Sequence, residues 1–291
     1  MHASPNEEMA ALWNGVSGKA WVDEQALLDH TYQPIEIMLA SEVAARGVRS
    51  VLDVGCGAGA TSLAVARSLD GRGHVTGIDI SEPLLAVARA RARQSNVNVR
   101  FVCADAQTHA FEPPTFDMII SRFGVMFFDD PVAAFANLHR AATPGGGMQL
   151  VAFRSAAENE FMTTAERAAA PLLPKLPARR PDAPGQFALA DRGRVQQMLL
   201  DGGWAHVRLA PIDVPCAFPA ADLERYITRL GPLGSALRGA DDATRARVIG
   251  RVRMAFEPFV HGSQVQFIAA CWMITARAAR TAAQCAESDR K

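Results

Sequence analysis

Short apolar runs alternate with stretches of helical periodicity between residues 50 and 154, and this alternation predicts parallel strands joined by helices. Each apolar run is rich in Val, Ile, Phe or Met, which is typical of strands that are covered on both faces. The runs that we interpret as strands are 50–54, 74–80, 99–105, 116–122 and 148–154. Such connections are right-handed, and ligands of such sheets bind beyond the carboxyl ends of the strands.

The segments on either side of this core follow a different pattern. Apolar residues at helical spacing predict helices over 9–44 and 219–260, and two longer runs at 206–215 and 265–276 predict two further strands. A proline-rich stretch within 155–190 is too short to bury a core of its own. We therefore divide the chain into an N-terminal helical lid (1–44), an α/β core (45–154) and a lid insertion (155–190). Residues 191–281 complete the core and contain a second helical lid insertion at 219–260, and residues 282–291 form a flexible tail.

The stretch 50–61 joins the first strand of the core to its first helix. Its apolar run ends at three alternating glycines, Gly55, Gly57 and Gly59, and a helical pattern follows at once. Glycines permit main-chain angles that other residues avoid, and they let a ligand approach the backbone and the positive end of the helix. The pattern is typical of a loop that holds a nucleotide-like cofactor, and Gly55, Gly57 and Ala60 also fit the looser dinucleotide pattern G-x-G-x-x-G/A.

Two features of this loop favour S-adenosylmethionine over a dinucleotide. Asp53 is acidic where a dinucleotide-binding strand is usually apolar, and Gly59 arrives one position early for the dinucleotide spacing. The motif VLDVGCGAG at 51–59 resembles the first signature of the class I S-adenosylmethionine-dependent methyltransferases, and the later elements follow in the order of that family. Within the family, the chain resembles the ubiquinone/menaquinone C-methyltransferases and many natural-product methyltransferases.

The resemblance implies a Rossmann-like α/β fold, with a doubly wound, mostly parallel seven-stranded sheet whose last strand is antiparallel, and with helical lid segments. It also implies S-adenosyl-L-methionine as the cofactor of the core at 45–154. A Pro-Gly-Gly turn at 144–146, ahead of the fifth strand, is common in the family and supports the register of the strands.

Two carboxylates stand at the ends of the second and third strands, on the edge where the glycine loop lies. Asp79 is placed to accept hydrogen bonds from the vicinal hydroxyls of a ribose. The resemblance implies that Asp105 accepts from the adenine amino group and that the Ala106 N–H meets a ring nitrogen. A solvated loop carboxylate and a turn cap are the plainer interpretations of the two aspartates. The residues that we predict to bind the cofactor are Trp21, Asp53, Gly55, Cys56, Gly57, Asp79, Ile80, Asp105, Ala106, Ser121 and Arg122.

The segment 121–124 after the fourth strand lies opposite the glycine loop and reads Ser-Arg-Phe-Gly. Enzymes that methylate the amino groups of DNA typically have a proline-proline-aromatic run here, which binds a flipped base. This departure, in a chain of neutral charge, argues for a small-molecule acceptor. Arg122 either steers an anionic or enolate oxygen or pairs with a carboxylate at the rim of the site.

The N-terminal helical segment is a candidate lid, because in relatives of this subgroup such a segment closes over the methionine end of the cofactor. Trp21 and His30 are candidates on that lid, and Tyr32 shares the segment and could orient a hydroxyl group. His30 and Arg122 are our candidates for catalytic residues. Plainer interpretations are that the tryptophans anchor a helical hairpin, and that a lone histidine lies on the surface or in the core. Methyl transfer from a sulfonium depends mainly on alignment and exclusion of water, because the neutral leaving group is excellent.

Composition and charge set the remaining bounds. Of the 291 residues, 49% are hydrophobic, and 30 basic residues balance 30 acidic ones, which disfavours a nucleic-acid partner. The five cysteines are far apart without metal-ligand spacing, so we expect reduced thiols, no metal site and a cytoplasmic location. We see no signal-peptide pattern and no apolar run long enough to span a membrane. A monomer or homodimer is expected.

These observations leave several functions open, of which methyl transfer to a small, partly apolar acceptor is the first. An aromatic or quinone-like metabolite would fit the methionine and phenylalanine residues of the lid segments. The alternatives are an oxidoreductase that uses NAD(P) and a non-catalytic module that binds S-adenosylmethionine. Methylation of protein or RNA is disfavoured by the charge balance.

Overall fold

The computed structural model describes residues 6–112, 114–174, 176, 179–180 and 183–279. The helices are α1 (Glu7–Asn14), α2 (Val16–Asp23), α3 (Gln25–Arg46), α4 (Ala60–Leu69), α5 (Glu82–Gln94), α6 (Pro131–Ala141), α7 (Glu160–Ala169), α8 (Arg192–Asp201), α9 (Leu223–Arg229), α10 (Gly231–Leu237) and α11 (Asp242–Phe256). The strands are β1 (Ser50–Val54), β2 (His74–Asp79), β3 (Val99–Cys103), β4 (Phe116–Arg122), β5 (Ala142–Phe153), β6 (Trp204–Pro219), β7 (Val260–His261) and β8 (Gln264–Ala278).

The described strands form one sheet in the order β3-β2-β1-β4-β5-β8-β6, and the two-residue β7 pairs with β8. β1 to β5 pair in parallel, whereas β8 runs antiparallel to β5, β6 and β7. The prediction of a doubly wound, mostly parallel sheet with a reversed last strand is confirmed, and β7 is an addition to it. The strand order switches between β1 and β4, and a crevice at such a switch point is where ligands of these sheets bind.

The central strand β1 shows why the core strands are almost continuously apolar. All five of its residues are buried, because helices cover both faces of a parallel sheet. Val51 of β1 packs in one cluster with Val43 of α3 and Val65 of α4, and a larger cluster includes Leu52. Predicted helix starts are confirmed at α5 and α6, where the side chains of Ser81 and Asp130 accept hydrogen bonds from backbone N–H groups of the first turn.

Helices are present in both segments that the pattern assigned to lids. α1 to α3 precede the sheet, and α9 to α11 lie between β6 and β7. The two groups are linked by an ion pair between Arg225 of α9 and Glu24, whose atoms are 2.6 Å apart. Glu24 is 1% exposed, so this ion pair buries a carboxylate at the junction. The division of the chain into lids and core stays a prediction.

Several strand boundaries differ from the predicted ones, among them those of β5, β6 and β3. β5 begins at Ala142 rather than at 148, because the segment of the Pro-Gly-Gly turn already continues the pairing with β4 across a register shift. β6 extends to Pro219, and its prolines are tolerated because β6 is an edge strand. β3 ends at Cys103, two residues early. The predicted flexible tail, 282–291, lies outside the described residues, and no helix that the structure describes is long and apolar enough to cross a bilayer.

Candidate functional site

The glycine loop turns sharply at the carboxyl end of β1. Gly55, Gly57 and Gly59 all have positive φ, of 66°, 53° and 81°, which is a conformation that other residues rarely adopt. The Gly55 N–H donates to the Ile78 carbonyl at 2.8 Å, and the Gly57 N–H donates to the Asp79 carboxylate at 2.7 Å. The loop is therefore held against the end of β2. A Cβ at Gly57 would meet no atom within 4 Å, so open space lies in front of this residue.

A second turn, after β4, touches the glycine loop closely. A Cβ added at Gly55 would lie 2.5 Å from the Cα of Gly124, so only glycine fits at this crossing. Ser121 links the two turns, since its hydroxyl donates to the Val54 carbonyl at 2.7 Å and accepts from the Gly124 N–H at 3.1 Å. Phe123 belongs to the second turn, and its φ of 70° is a strained conformation for a bulky residue.

Two carboxylates at neighbouring strand ends have different hydrogen bonding. Asp79 accepts from the backbone N–H groups of Gly57 and Ser81, at 2.7 and 2.8 Å. One oxygen of Asp105 accepts from the Gln107 N–H at 2.9 Å, whereas its Oδ2 is buried without a hydrogen-bond partner. Burial raises the pKa of Asp79, and the hydrogen bonds from the loop oppose this shift. The unpartnered Oδ2 is a strong acceptor that a ligand could satisfy.

Arg122 brings a positive charge to the same edge of the sheet. Its guanidinium lies 3.8 Å from the Asp29 carboxylate, and its Nη1 is buried without a hydrogen-bond partner. Asp29 also pairs with Arg91 at 2.6 Å, and Arg91 donates to the carbonyl of Ala58 in the glycine loop at 2.6 Å. A network of charges thus links helix α3 to the glycine loop, and it leaves one donor of Arg122 available.

These groups surround a cavity of about 110 Å³, which we call the first cavity. The residues of the predicted set that line it are Trp21, Gly55, Gly57, Asp79, Ile80, Asp105, Ala106 and Arg122. Asp53, Cys56 and Ser121 of that set do not line it. His30 is exposed on α3 and lines neither this cavity nor the second one described below. The described residues include no group of His, Cys, Asp and Glu arranged to hold a metal ion.

The predicted residues outside the first cavity have structural partners. Asp53 is 1% exposed and accepts a hydrogen bond from the Ser62 hydroxyl of α4 at 2.6 Å. Burial raises the pKa of Asp53 to about 7, although the Ser62 bond lowers it. Cys56 is also buried, and burial raises the pKa of its thiol. Asp53 and Ser121 therefore hold the loop in place rather than face the cavity.

Helices α1 and α2 cover one side of the first cavity and contribute side chains to its lining. The Ser81 hydroxyl donates to the Trp13 carbonyl at 2.7 Å, and Asn14 donates to the Ile80 carbonyl at 2.9 Å, so the α1–α2 junction rests on the turn after β2. The ring of Trp13 packs edge-on against Trp21 and Phe127, at 5.5 and 5.1 Å between centroids.

A second cavity, of about 930 Å³, adjoins the first. The two share Met9, Trp13, Trp21, Phe123 and Phe127 in their linings. Side chains of α3, α7, α9 and α10 and of the segment 183–191 line much of the rest of the second cavity, and most of its interior is aromatic or aliphatic. A large, mainly apolar cavity with a few polar groups is typical of a small-molecule site.

Several residues at these cavities escaped the sequence analysis. Asn6 donates from its amide to Asp105 at 3.2 Å and lines the first cavity, but a lone asparagine near the start of the chain gives no signal. Asp29 and Tyr226 lie on helices whose pattern predicted only a buried face. The ion pair between Asp29 of α3 and Arg91 of α5 cannot be predicted from local sequence, because it depends on how the two helices pack.

Comparison with known proteins agrees with this geometry. Residues 51–146 match the family described as a methyltransferase domain. An uncharacterized methyltransferase of Mycobacterium tuberculosis is 35% identical over 107 residues, which are 37% of this chain and 52% of that protein. Demethylmenaquinone methyltransferase of Staphylococcus aureus is 37% identical over 103 residues, which are 34% of this chain and 42% of that protein. The chain thus spans about half the length of the first relative and less of the second.

Solved structures resemble the fold over a longer part of the chain. YcgJ of Bacillus subtilis is similar over 83% of this chain and 97% of its own, with a TM-score of 0.55 and 19% identity. The [4+2]-cyclase SpnF is similar over 84% of this chain and 81% of its own, with a TM-score of 0.51 and 22% identity. At such identities the likeness concerns the fold alone.

Residues 51–146 match the methyltransferase-domain family, and the sheet order and the glycine loop are those of the class I, Rossmann-like methyltransferase fold. In this chain, residues 51–146 are the methyltransferase domain, and they supply Gly55, Gly57, Asp79, Asp105 and Arg122 to the first cavity. The sequence resemblance to this family is thereby confirmed.

Proposed function

We propose that the chain transfers a methyl group from S-adenosyl-L-methionine to a small, partly apolar acceptor. The observation that carries this proposal is the contact between the two cavities. The first cavity has polar groups at the strand ends of a methyltransferase domain, and the second has about 930 Å³ of mainly apolar space. The shared wall formed by Phe123, Trp13 and Trp21 lets a donor and an acceptor lie side by side.

The residues of the first cavity fit the cofactor on three points. The unpartnered Oδ2 of Asp105 suits the amino group of an adenine, and the unpartnered Nη1 of Arg122 suits the carboxylate of a methionine. The open space before Gly57 suits close approach of a ligand to the backbone. Asp79 would hold the ribose hydroxyls, since its carboxylate oxygens retain acceptor capacity beside the two backbone bonds.

S-adenosyl-L-methionine supplies a methyl group on a sulfonium, with a neutral thioether as the leaving group. The task of this chain is therefore to bind, align and exclude water. The Trp13–Trp21–Phe127 cluster and the docked α1–α2 junction cover part of the first cavity. Arg122 would bind the methionine carboxylate at this edge and so help to fix the donor for in-line transfer.

The second cavity supports a particular kind of acceptor. Its interior contains many aromatic rings, among them Phe123 and Phe153, which stack at 4.3 Å with an angle of 7° between their planes. Five arginines and two carboxylates also contribute to its lining. An apolar, aromatic acceptor that is neutral or negatively charged fits this balance better than a cationic amine.

Two other functions are weaker candidates. A dinucleotide-dependent oxidoreductase would not explain the family match over 51–146. A module that binds the cofactor without transferring its methyl group remains a competitor, because one fold hosts many functions. The large second cavity beside the first argues against it. A cytoplasmic location and a monomeric or dimeric state stay predictions.

The test is methyl transfer to a panel of small aromatic acceptors. The chain is incubated with S-adenosyl-L-methionine whose methyl group is deuterated, and with phenols, hydroquinones and aromatic amines in turn. We expect a product that carries the labelled methyl group with at least one oxygen-bearing aromatic, together with S-adenosylhomocysteine. Tight binding of S-adenosylhomocysteine without transfer to any acceptor would favour the non-catalytic module.

Matched variants separate specific transfer from background. Arg122→Ala should lower the rate of labelled product formation, whereas Arg93→Ala, on the exposed face of α5, should not. If both variants keep the full rate, Arg122 has no role in the reaction. Thermal unfolding of each variant shows whether a lost rate reflects a lost fold.

A further inference from the structure

The lining of the second cavity is mainly apolar, and it includes two phenolic hydroxyl groups. Tyr32 of α3 and Tyr226 of α9 both line it, and they are the only tyrosines in the sequence. Tyr32 is 6% exposed, and Tyr226 is half-buried. The fold thus brings its two phenolic hydroxyls into one cavity from helices that are far apart in the chain.

Both hydroxyls point to the same atom. The Tyr32 hydroxyl lies 3.9 Å from Met162 Sδ, and the Tyr226 hydroxyl lies 3.7 Å from it. A thioether is a weak acceptor, whereas a buried tyrosine hydroxyl usually finds an oxygen or nitrogen partner. Both hydroxyls therefore donate to a weak acceptor, which an oxygen atom of a ligand could replace.

The electrostatic surroundings keep both groups protonated and able to donate. Burial raises the pKa of Tyr226, and a hydrogen bond from Tyr32 opposes this shift. Burial also raises the pKa of Tyr32, and the nearby charge of Arg122 lowers it slightly. Near neutral pH each hydroxyl thus keeps its proton, and a ligand oxygen would accept it in place of Met162 Sδ or, for Tyr32, in place of the Tyr226 oxygen.

The position of Tyr32 connects this pair to the first cavity. Its ring packs edge-on against Phe123 at 5.2 Å between centroids, and Phe123 lines both cavities. A ligand held by the tyrosine pair would thus lie against the wall that the two cavities share. A pair of tyrosines that merely filled the core would have no need of this place beside open space.

We propose that Tyr32 and Tyr226 form a paired hydrogen-bond site for one oxygen atom of the methyl acceptor. The acceptor class that this site selects is an aromatic or enolisable compound with a hydroxyl or carbonyl oxygen, such as a phenol, a hydroquinone or an enol. Both residues are binding residues that position the acceptor, and this inference rests on the proposed function for the statement that the bound compound is methylated.

The test compares two probes that differ in one hydroxyl group, 2-naphthol and naphthalene. Their dissociation constants are measured by fluorescence titration, with and without S-adenosylhomocysteine. We expect the protein to prefer 2-naphthol by about tenfold, as a buried hydrogen bond of ordinary strength would give. Tyr32→Phe and Tyr226→Phe should each reduce this preference, and the double variant should bind both probes equally.

Phe187→Leu is the matched control, because Phe187 lines the same cavity without a hydroxyl group. This variant should weaken both probes alike and keep the preference for 2-naphthol. The inference is overturned if the unaltered protein binds neither probe or shows no preference, or if the double variant retains the preference. Each phenylalanine variant keeps its ring, and its melting temperature reports whether it is folded.

Failure of this inference is distinguishable from failure of the proposed function. Binding of S-adenosylhomocysteine is measured in the same samples, and it tests the first cavity alone. If that ligand does not bind, the proposed function fails, while the probe preference without it still decides the role of the tyrosines. If that ligand binds and the preference is absent, the tyrosine site alone is refuted.

Discussion

The two cavities of this protein are built in different ways. The first is made of strand ends and tight turns, and its polar groups are held by the main chain, as the Gly57 N–H holds Asp79. The second is made of side chains that distant helices contribute, such as Tyr32 and Tyr226. The family match ends at residue 146 and so covers the glycine loop, Asp79 and Asp105 but not α7 or α9. We infer that the proposed cofactor site forms one structure with the sheet, whereas the proposed acceptor site is separable from both.

The largest expected effect concerns Asp53, a buried carboxyl group of β1 next to the glycine loop. Its pKa of about 7 in the folded protein lies above the ordinary value of 3.8, so the folded state holds a proton that the unfolded state has lost. Stability from this group is therefore full below about pH 4 and is lost as the pH rises through 7. The loss amounts to at most about 4 kcal/mol.

Asp53→Asn removes this titration and should flatten the dependence of the unfolding free energy on pH. Urea unfolding between pH 4 and 8 measures the difference between the two proteins. Asp129→Asn, at an exposed position, is the control and should leave the curve unchanged. Parallel curves for Asp53→Asn and the unaltered protein would show that Asp53 titrates normally.

The next effect concerns the contact between the two turns. In Gly124→Ala the new Cβ would lie 2.5 Å from the Val54 carbonyl oxygen and 2.6 Å from the Gly55 Cα. We expect this crowding to cost about 1–3 kcal/mol of stability and to weaken S-adenosylhomocysteine binding at the same time. Denaturant unfolding and calorimetric titration measure the two quantities.

Gly250→Ala provides the contrast for this variant. Gly250 lies within α11 with no atom within 4 Å of an added Cβ, so alanine should stabilise the helix by about 1 kcal/mol. Its affinity for S-adenosylhomocysteine should not change. Normal stability and affinity in Gly124→Ala would mean that the turns move apart without cost.

An effect of similar size, on the affinity for S-adenosylhomocysteine alone, is expected at Asp79. Asp79→Ala should weaken S-adenosylhomocysteine binding by about 1–3 kcal/mol, because charged hydrogen bonds to the ribose would be lost. Asp79→Asn keeps one acceptor oxygen and should weaken binding less. Calorimetry with Asp129→Ala as control checks both, and an unchanged affinity in Asp79→Ala would refute the ribose role.

The smallest effect concerns the second cavity and tests whether it is independent of the first cavity. Met162→Leu replaces the sulfur between the two tyrosines with carbon of similar volume. Stability should change by less than about 1.5 kcal/mol, and affinity for S-adenosylhomocysteine should not change. A large loss of that affinity would show that the two regions are coupled, contrary to the comparison.

The same contrast explains how much the sequence predicts. The parallel strands, the glycine loop and the helix starts at Ser81 and Asp130 follow from local patterns, which the structure confirms. Local pattern also places Asp79 and Asp105 at strand ends, where both line the first cavity. It does not show that Asp53 turns toward Ser62, because that depends on how α4 packs.

The second cavity depends on long-range packing and therefore escapes local patterns. Tyr32 carries a weak signal, since it lies on the candidate lid beside His30, yet His30 is exposed and lines neither cavity. For Tyr226 the local pattern predicts only that it lies on an amphipathic helix. Its meeting with Tyr32 at Met162 requires α3, α7 and α9 to be in place.

A crystal structure of the chain with S-adenosylhomocysteine tests the central claim most directly. The account predicts that the ligand occupies the first cavity, with its adenine at Asp105, its ribose at Asp79 and its amino-acid end near Gly57 and Arg122. Density for this ligand elsewhere, or a cavity that accepts a pyridine dinucleotide instead, would contradict the account.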